Sequence, residues 1–505
     1  MASSFALERR LGPLDAAAII VSNVIGGGIL FTPPQIAALV PGAALFLSTW
    51  IAGGALAFAG AMAYAELAAL RPRAGGEYVY LREAFGPAAA FLTGWTSFVA
   101  GFSGAIATSA VVMVFYLGRF VPAAADRAPW LVAPIVPGVL ALTVSPQTVT
   151  AVAIIVAMAC IHVRGVGPGR IVGNLLASLK VTALVLFMAI GFSFGAGSLS
   201  HLRESAPVAP AGWLLALIPV MFTYSGWNAA AYVAEEVRDP GRNVPRALAL
   251  GTGAVIGIYL LLNALYLYVI PASELAGING SVLDVIAQRL LGGAAGAIMG
   301  IVSIVSLAAS ISAMTFAGPR VYFAMARDRL FFARAGVVHS RYRTPAAAIV
   351  AQATWSSLLV LTATADALVN YTGFAIILFS GVAVVALFVL RRKEPDAERP
   401  FRAWGYPIVP ALYAIASVAI LANGLYRAPG PTGTGALIIA AGLPIYAGLR
   451  RQSPNPKSQY LLIRDSGFGI RALGLGICYG RAGRRSPRYV IVCPGLIRTS
   501  KSSGV

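Results

Sequence analysis

The chain has 505 residues, 58% of them apolar or aromatic and only 11% charged, with a mean hydropathy of +0.79. Soluble domains carry about a quarter charged residues, so this composition excludes one. The excess of 38 basic over 18 acidic residues excludes nucleic acid as the expected partner, because the basic residues lie in short loops between apolar runs, where they orient membrane helices.

The first ten residues are polar, and the apolar run after them is long and lacks a small-residue cleavage pattern, so no removable signal peptide is expected. Runs long enough to cross a hydrocarbon layer of about 30 Å then recur. They begin near Leu14, Ala43, Pro87, Pro134, Ile171, Ala211, Val244, Ala294, Pro345, Ala367, Tyr406 and Gly433. With the N-terminus placed inside, the inside loops hold 22 Lys and Arg residues, while the outside loops hold five: Arg119, Arg127, Arg203, Arg289 and Arg427. That imbalance predicts twelve crossings of the cell membrane, with both termini cytoplasmic.

Two of these spans are interrupted at matching places. Residues 23–34 of the first read NVIGGGILFTPP, and residues 222–228 of the sixth read FTYSGWN. Three consecutive glycines weaken a helix by about 1 kcal/mol each relative to alanine. Irregular backbone survives inside a bilayer only where it lines a cavity or is buried in protein, and paired breaks in corresponding halves point to a transporter binding site. Close packing of neighbouring helices on glycine is the alternative account of either stretch alone.

Four segments carry a family resemblance. Residues 25–31 (IGGGILF) resemble a first-helix G-S-G-I-F signature, with Gly27 where the family often has Ser. Residues 72–86 (PRAGGEYVYLREAFG) resemble the loop after the second helix, and residues 222–245 (FTYSGWNAAAYVAEEVRDPGRNVP) the sixth helix and its following loop. Lys180 stands in the fifth span where relatives without sodium coupling carry a lysine. The sequence thus resembles the amino acid-polyamine-organocation superfamily, most closely its L-type amino acid transporter branch, over residues 14 to about 451. The resemblance implies an all-α polytopic protein with an inverted five-plus-five repeat, broken first and sixth helices, and two further helices.

It also implies a sodium-independent secondary transporter, permease or antiporter, moving amino acids by alternating access. Backbone contacts to the substrate carry over onto Val24, Gly27 and Gly28 in the first helix and Phe222 and Ser225 in the sixth. Ile25, Gly26, Thr223, Gly226 and Trp227 complete the candidate substrate site. A half-helix starting after Gly28 presents free N–H groups to a carboxylate, and carbonyls freed around Phe222 and Ser225 suit an ammonium group. Tyr224 and Trp227 either line the pocket or simply pack.

A lone cation about 15 Å into the fifth span is costly, so Lys180 is expected to face the bundle and bind carbonyls of the broken first helix. Exchange without ion coupling and proton-coupled uptake both remain open. Glu66, Glu235 and Glu236 are expected to pair with Arg238, Arg242 or the Arg71 loop. His162, His201 and His339 fall in predicted loops without metal spacing. Cys160, Cys478 and Cys493 are too scattered for a disulfide framework or metal cluster. No ATPase, metalloprotease or hydrolase motif occurs, so no cofactor, metal or enzymatic activity is expected. The partners expected are a small amino acid or amine and membrane lipid. The competing readings are a polyamine or other amine transporter of the same fold, a membrane enzyme, and a channel.

A permease domain is expected over residues 1–451. Residues 452–505 differ from it, with nine basic residues, one acidic residue (Asp465) and no sustained apolar run. This tail is read either as a disordered basic extension drawn to anionic lipid or as a stretch not shaped by selection for structure, the second being preferred.

Overall fold

The computed structural model describes residues 7–452 apart from 137–139, 196, 206, 208, 363–364 and 428. The protein is an all-α polytopic membrane protein. Among the described residues, ten helices are long and apolar enough to cross a bilayer, and two shorter apolar helices, Pro210–Tyr224 and Ala346–Leu361, supply the sixth and ninth crossings. The first span, Pro13–Phe31, is followed by Ala43–Leu70 (second), Pro87–Leu117 (third), Pro146–Val163 (fourth) and Val166–Phe194 (fifth). After the sixth come Pro240–Val269 (seventh) and Ala295–Arg327 (eighth). Gly373–Lys393 lies within the tenth, Ala365–Lys393, and Ile408–Arg427 and Thr432–Arg450 are the last two. Prolines open the helices at 13, 87, 146, 210 and 240, where a missing N–H costs no hydrogen bond.

The fourth span begins twelve residues later than the sequence reading placed it. Leu131–Val136 and Leu140–Val144 instead pair as an antiparallel hairpin, with Pro134 opposite Ala141. The helix start is fixed by a capping box: the Thr148 N–H donates to Ser145 Oγ at 3.3 Å and the Ser145 N–H to Thr148 Oγ1 at 2.9 Å, with Pro146 at the first helical position. A hydrophobic run alone does not distinguish β-branched strand residues from a helix entrance.

The second and seventh spans pack together beside the first, and the eighth runs along the third and fifth. Trp50 of the second span sits edge-on between Tyr224 and Tyr259, with ring centroids 6.0 and 5.9 Å away. The first strand of contacts after the N-terminus joins Leu11 to Val237, and the Glu236 carbonyl accepts from the N–H groups of Arg10 (2.9 Å) and Leu11 (3.0 Å).

The buried carboxylates are ion-paired, but with partners other than those expected. Glu66 accepts from Arg391 at 2.8 and 2.6 Å, lies 3.2 Å from Arg399, and accepts from the Ala403 N–H at 2.7 Å. Glu236 accepts from Arg320 at 2.7 and 3.1 Å, both side chains being fully buried. Glu235 accepts from the Ala74 N–H and faces Arg327. These pairings join residues 84 to 333 positions apart, so sequence proximity to Arg71, Arg238 or Arg242 was no guide. His162 is also relocated: it belongs to the last turn of the fourth span, 2% exposed, with Nε2 2.9 Å from Ser312 Oγ. The helix runs on to Val163 and stops only before Gly165, whose φ of +141° no ordinary residue tolerates. The tail from residue 453 onward lies outside the described residues.

Candidate functional site

The helix of the first span stops at Val24, Ile25 turns extended, and helix resumes over Gly27–Phe31. Thr32, itself helical, carries it into Pro33–Leu39. The sixth span stops at Tyr224. Ser225 turns extended, Gly226 has φ +99°, and a short helix follows over Ala229–Tyr232. These breaks face each other. The Asn23 amide donates to the Gly226 carbonyl at 3.4 Å, and Thr32 Oγ1 lies 2.7 Å from Thr223 Oγ1. A Cβ on Gly226 would sit 2.6 Å from Asn23 Nδ2, so both the positive φ and the close approach require glycine there.

A break leaves backbone carbonyls without helical partners, and burial makes an unpaired one costly. Neighbouring spans answer this at the first break. Lys180, at the middle of the fifth span and fully buried, donates to the carbonyls of Ser22 (3.2 Å) and Ile25. Ser310 Oγ of the eighth span lies 2.9 Å from the Ser22 carbonyl and 3.0 Å from that of Ile25. The Tyr259 hydroxyl of the seventh span is shared between the carbonyls of Val24 (2.8 Å) and Thr223 (3.2 Å), tying the two breaks to one scaffold residue.

The ten candidate residues at the breaks divide by exposure. Gly27, Gly28, Phe222, Ser225 and Gly226 are half-buried, while Val24, Ile25, Gly26, Thr223 and Trp227 are buried. The glycines differ in what they face. Nothing lies within 4 Å of a Cβ built on Gly27, whereas one on Gly28 would meet Thr223 Cα at 3.1 Å and one on Gly26 would meet Ser310 Oγ at 2.9 Å. Gly27 therefore borders open space, and Gly28 is the close contact between the two broken spans. The Phe222 carbonyl, expected to be free, accepts from the Ser225 N–H at 3.0 Å and keeps one lone pair.

Trp227 stands apart from this opening. Its ring packs edge-on against Tyr64 at 4.8 Å and Tyr413 at 6.3 Å, over Gly60 of the second span. Tyr224 is likewise enclosed, donating to the Trp50 carbonyl at 3.2 Å.

The sequence reading passed over Tyr259, Ser306, Ser310 and Glu77. For the serines there is a signal: Ser303, Ser306 and Ser310 recur at three- and four-residue spacing in an apolar span, marking one polar face. Glu77 follows the Gly75-Gly76 turn of the loop after the second span and opens the helix Glu77–Phe85. Its Oε1 accepts from the Tyr64 hydroxyl (2.6 Å) and the Asn228 amide (2.7 Å), and its Oε2 from Thr93 (3.3 Å). Burial pushes the Glu77 carboxyl up from its ordinary range, against the hydrogen bonds from Tyr64, Tyr232, Thr93 and Asn228 that favour the charged form.

Comparison with known proteins agrees with this architecture. The chain is 28% identical over 448 residues to Large neutral amino acids transporter small subunit 2 of Mus musculus, covering 87% of this chain and 81% of that one. It is 28% identical over 445 residues to the Cystine/glutamate transporter of Homo sapiens, covering 87% and 85%. To Serine/threonine exchanger SteT of Bacillus subtilis (strain 168) it is 27% identical over 451 residues, covering 88% and 98%. A family model described as Amino acid permease matches residues 11–449. With two facing helix breaks inside a twelve-span bundle, the chain belongs to the amino acid permease family, whose members are transporters rather than enzymes.

Proposed function

We propose that the protein is a sodium-independent secondary transporter, a permease or exchanger, that carries amino acids across the cell membrane by alternating access, with both termini cytoplasmic. The observation that carries this reading is the pair of facing breaks, with Gly27 bordering open space. The first amides of the helical stretch from Gly27 have no acceptor within that stretch and offer donors to a carboxylate. The remaining lone pair of the Phe222 carbonyl and the backbone of Ser225 offer acceptors to an ammonium group. A zwitterionic amino acid presents both charges. Val24, Ile25, Gly26 and Thr223 are the buried residues of the same two breaks, and Trp227 packs against Tyr64 and Tyr413.

Lys180 supports sodium independence. Its ammonium already occupies the Ser22 and Ile25 carbonyls, so a fixed cation stands where a mobile one would otherwise be needed. Proteoliposomes loaded with unlabelled amino acid and given the radiolabelled form test the proposal. Saturable counterflow that persists when choline replaces sodium is expected. Failure of every amino acid to exchange overturns the transport reading, and collapse of exchange in choline overturns sodium independence. Comparing an amino acid with its decarboxylated amine tests the carboxylate contact: equal affinity would remove it.

A further inference from the structure

Glu66 and Glu236, both fully buried, are each paired with arginine. Glu77 differs. It is half-buried, and among the described residues it has no ion pair, only neutral donors. Those donors come from three separate spans. Tyr64 belongs to the second, Thr93 to the third, and Asn228 lies immediately after the sixth-span break, two residues from Gly226. Asn228 Nδ2 also donates to the Tyr232 hydroxyl at 3.0 Å, so the start of the segment after the break is tied to this one carboxylate, while its far end is anchored through Glu235 and Glu236.

We propose that Glu77 is a positioning residue of the transport cycle: as a carboxylate it latches the segment after the sixth-span break to the second and third spans, and uptake of a proton from cytoplasmic water releases that segment. This rests on the transport reading above. The proton goes to a carboxyl oxygen, which turns an acceptor facing three donors into a group that must itself donate. The charge-assisted character of the Tyr64 and Asn228 bonds is lost with it. Being half-buried, the carboxyl remains reachable by a proton.

The surrounding groups leave this titration to Glu77. Tyr64, Tyr80, Tyr232 and Tyr413 are the titratable side chains nearest to it. On its own helix, Arg82 pairs with Asp328 and Glu83 with Arg71. On the tenth span, Arg391 is held by Glu66, Lys393 donates to the Ala84 carbonyl at 2.8 Å, and Glu394 pairs with Arg71. On the eighth span Arg320 pairs with Glu236 and Arg327 with Glu235.

Counterflow measured from pH 5 to pH 8 on wild type, Glu77→Gln and Glu77→Asp decides the matter. The wild type is expected to exchange roughly tenfold faster at the acid end, as fits the loss of one charge-assisted hydrogen bond. Glu77→Gln, permanently released, should vary less than about twofold, and Glu77→Asp should restore a pH-dependent profile. Melting of the detergent-solubilised protein supplies a readout that needs no transport. A carboxyl whose folded pKa is raised binds its proton more tightly when folded. Its contribution to stability is therefore present below the unfolded pKa and lost as pH rises through the folded one. Glu77→Gln should remove that slope. A Glu77→Gln protein that superimposes on wild type in both exchange and melting at every pH overturns the latch. A wild type that exchanges no amino acid overturns the transport reading instead, and the melting comparison still decides whether Glu77 holds the proton.

Discussion

At the first break the carbonyls of Ser22, Val24 and Ile25 receive side-chain donors from the fifth, seventh and eighth spans. At the sixth, the Phe222 carbonyl is closed by the amide of Ser225, the Gly226 carbonyl by the Ala229 amide and Asn23 of the first span, and the Thr223 carbonyl by Tyr259. One break is clamped by the scaffold through a buried ammonium and hydroxyls. The other shares only the Tyr259 hydroxyl of that scaffold, through the Thr223 carbonyl, and is otherwise held by a single glycine conformation, by its partner break and by the half-buried Glu77. A buried ion with satisfied acceptors resists rearrangement, since each carbonyl it leaves must be desolvated unpaired. The difference assigns the rigid wall of the candidate site to the first span and the adaptable wall to the sixth.

Removing the clamp tests this division most severely. Lys180→Ala leaves the Ser22 carbonyl with Ser310, and the Ile25 carbonyl with Ser310 and a long bond from Ser306, a cost of about 3 kcal/mol for a buried charge-assisted network. Thermal melting should fall accordingly. The same variant separates the coupling schemes. Proton coupling predicts that accumulation driven by a pH gradient falls while counterflow survives, and an exchanger shows no gradient dependence even in the wild type. A Lys180→Ala protein with wild-type melting and wild-type transport would dissolve the contrast between the breaks.

Gly226→Ala attacks the other side. Alanine at φ +99° is strained, and its Cβ would meet Asn23 Nδ2 at 2.6 Å. Together these should cost roughly 2 kcal/mol, as for other left-handed glycines forced to carry a side chain. Tyr259→Phe comes next, at about 1 to 1.5 kcal/mol for one buried hydroxyl serving two carbonyls. Because that hydroxyl touches both Val24 and Thr223, its loss should loosen the two breaks together. Double-mutant cycles with Lys180→Ala measure this: strict additivity would mean that the clamps act independently.

Much of this arrangement was legible in the chain. Hydropathy located the spans, the start of the fourth excepted, because lipid forces every backbone group into a helix. The breaks were legible for the opposite reason, since GGGILF and YSGWN violate the helical composition around them. What escaped depends on tertiary proximity. That Glu66 meets Arg391, 325 positions away, or that the ring of Trp227 turns toward Tyr64 and Tyr413 rather than the opening, follows from packing and has no local sequence mark. The pairing of residues 131–136 with 140–144 was missed because Val, Ile and Leu in a short run read equally as the start of a span.

The smallest effect on stability should come with a large effect on binding, at Gly27. A leucine there meets no atom at its Cβ, so melting should change by less than about 1 kcal/mol, the scale of replacing a helical glycine. Its branches would nevertheless fill the open space beside Gly27, and binding of any amino acid, read by thermal shift, should be lost. Gly27→Ser, smaller and bearing a donor, should retain transport. Gly28→Leu supplies the contrast, because its Cβ lies 3.1 Å from the Thr223 backbone. It pushes the two broken spans apart and should lower the melting temperature as well as binding. Should Gly27→Leu bind amino acids as the wild type does, the open space beside Gly27 is not where the substrate sits, whatever the stability of the variant.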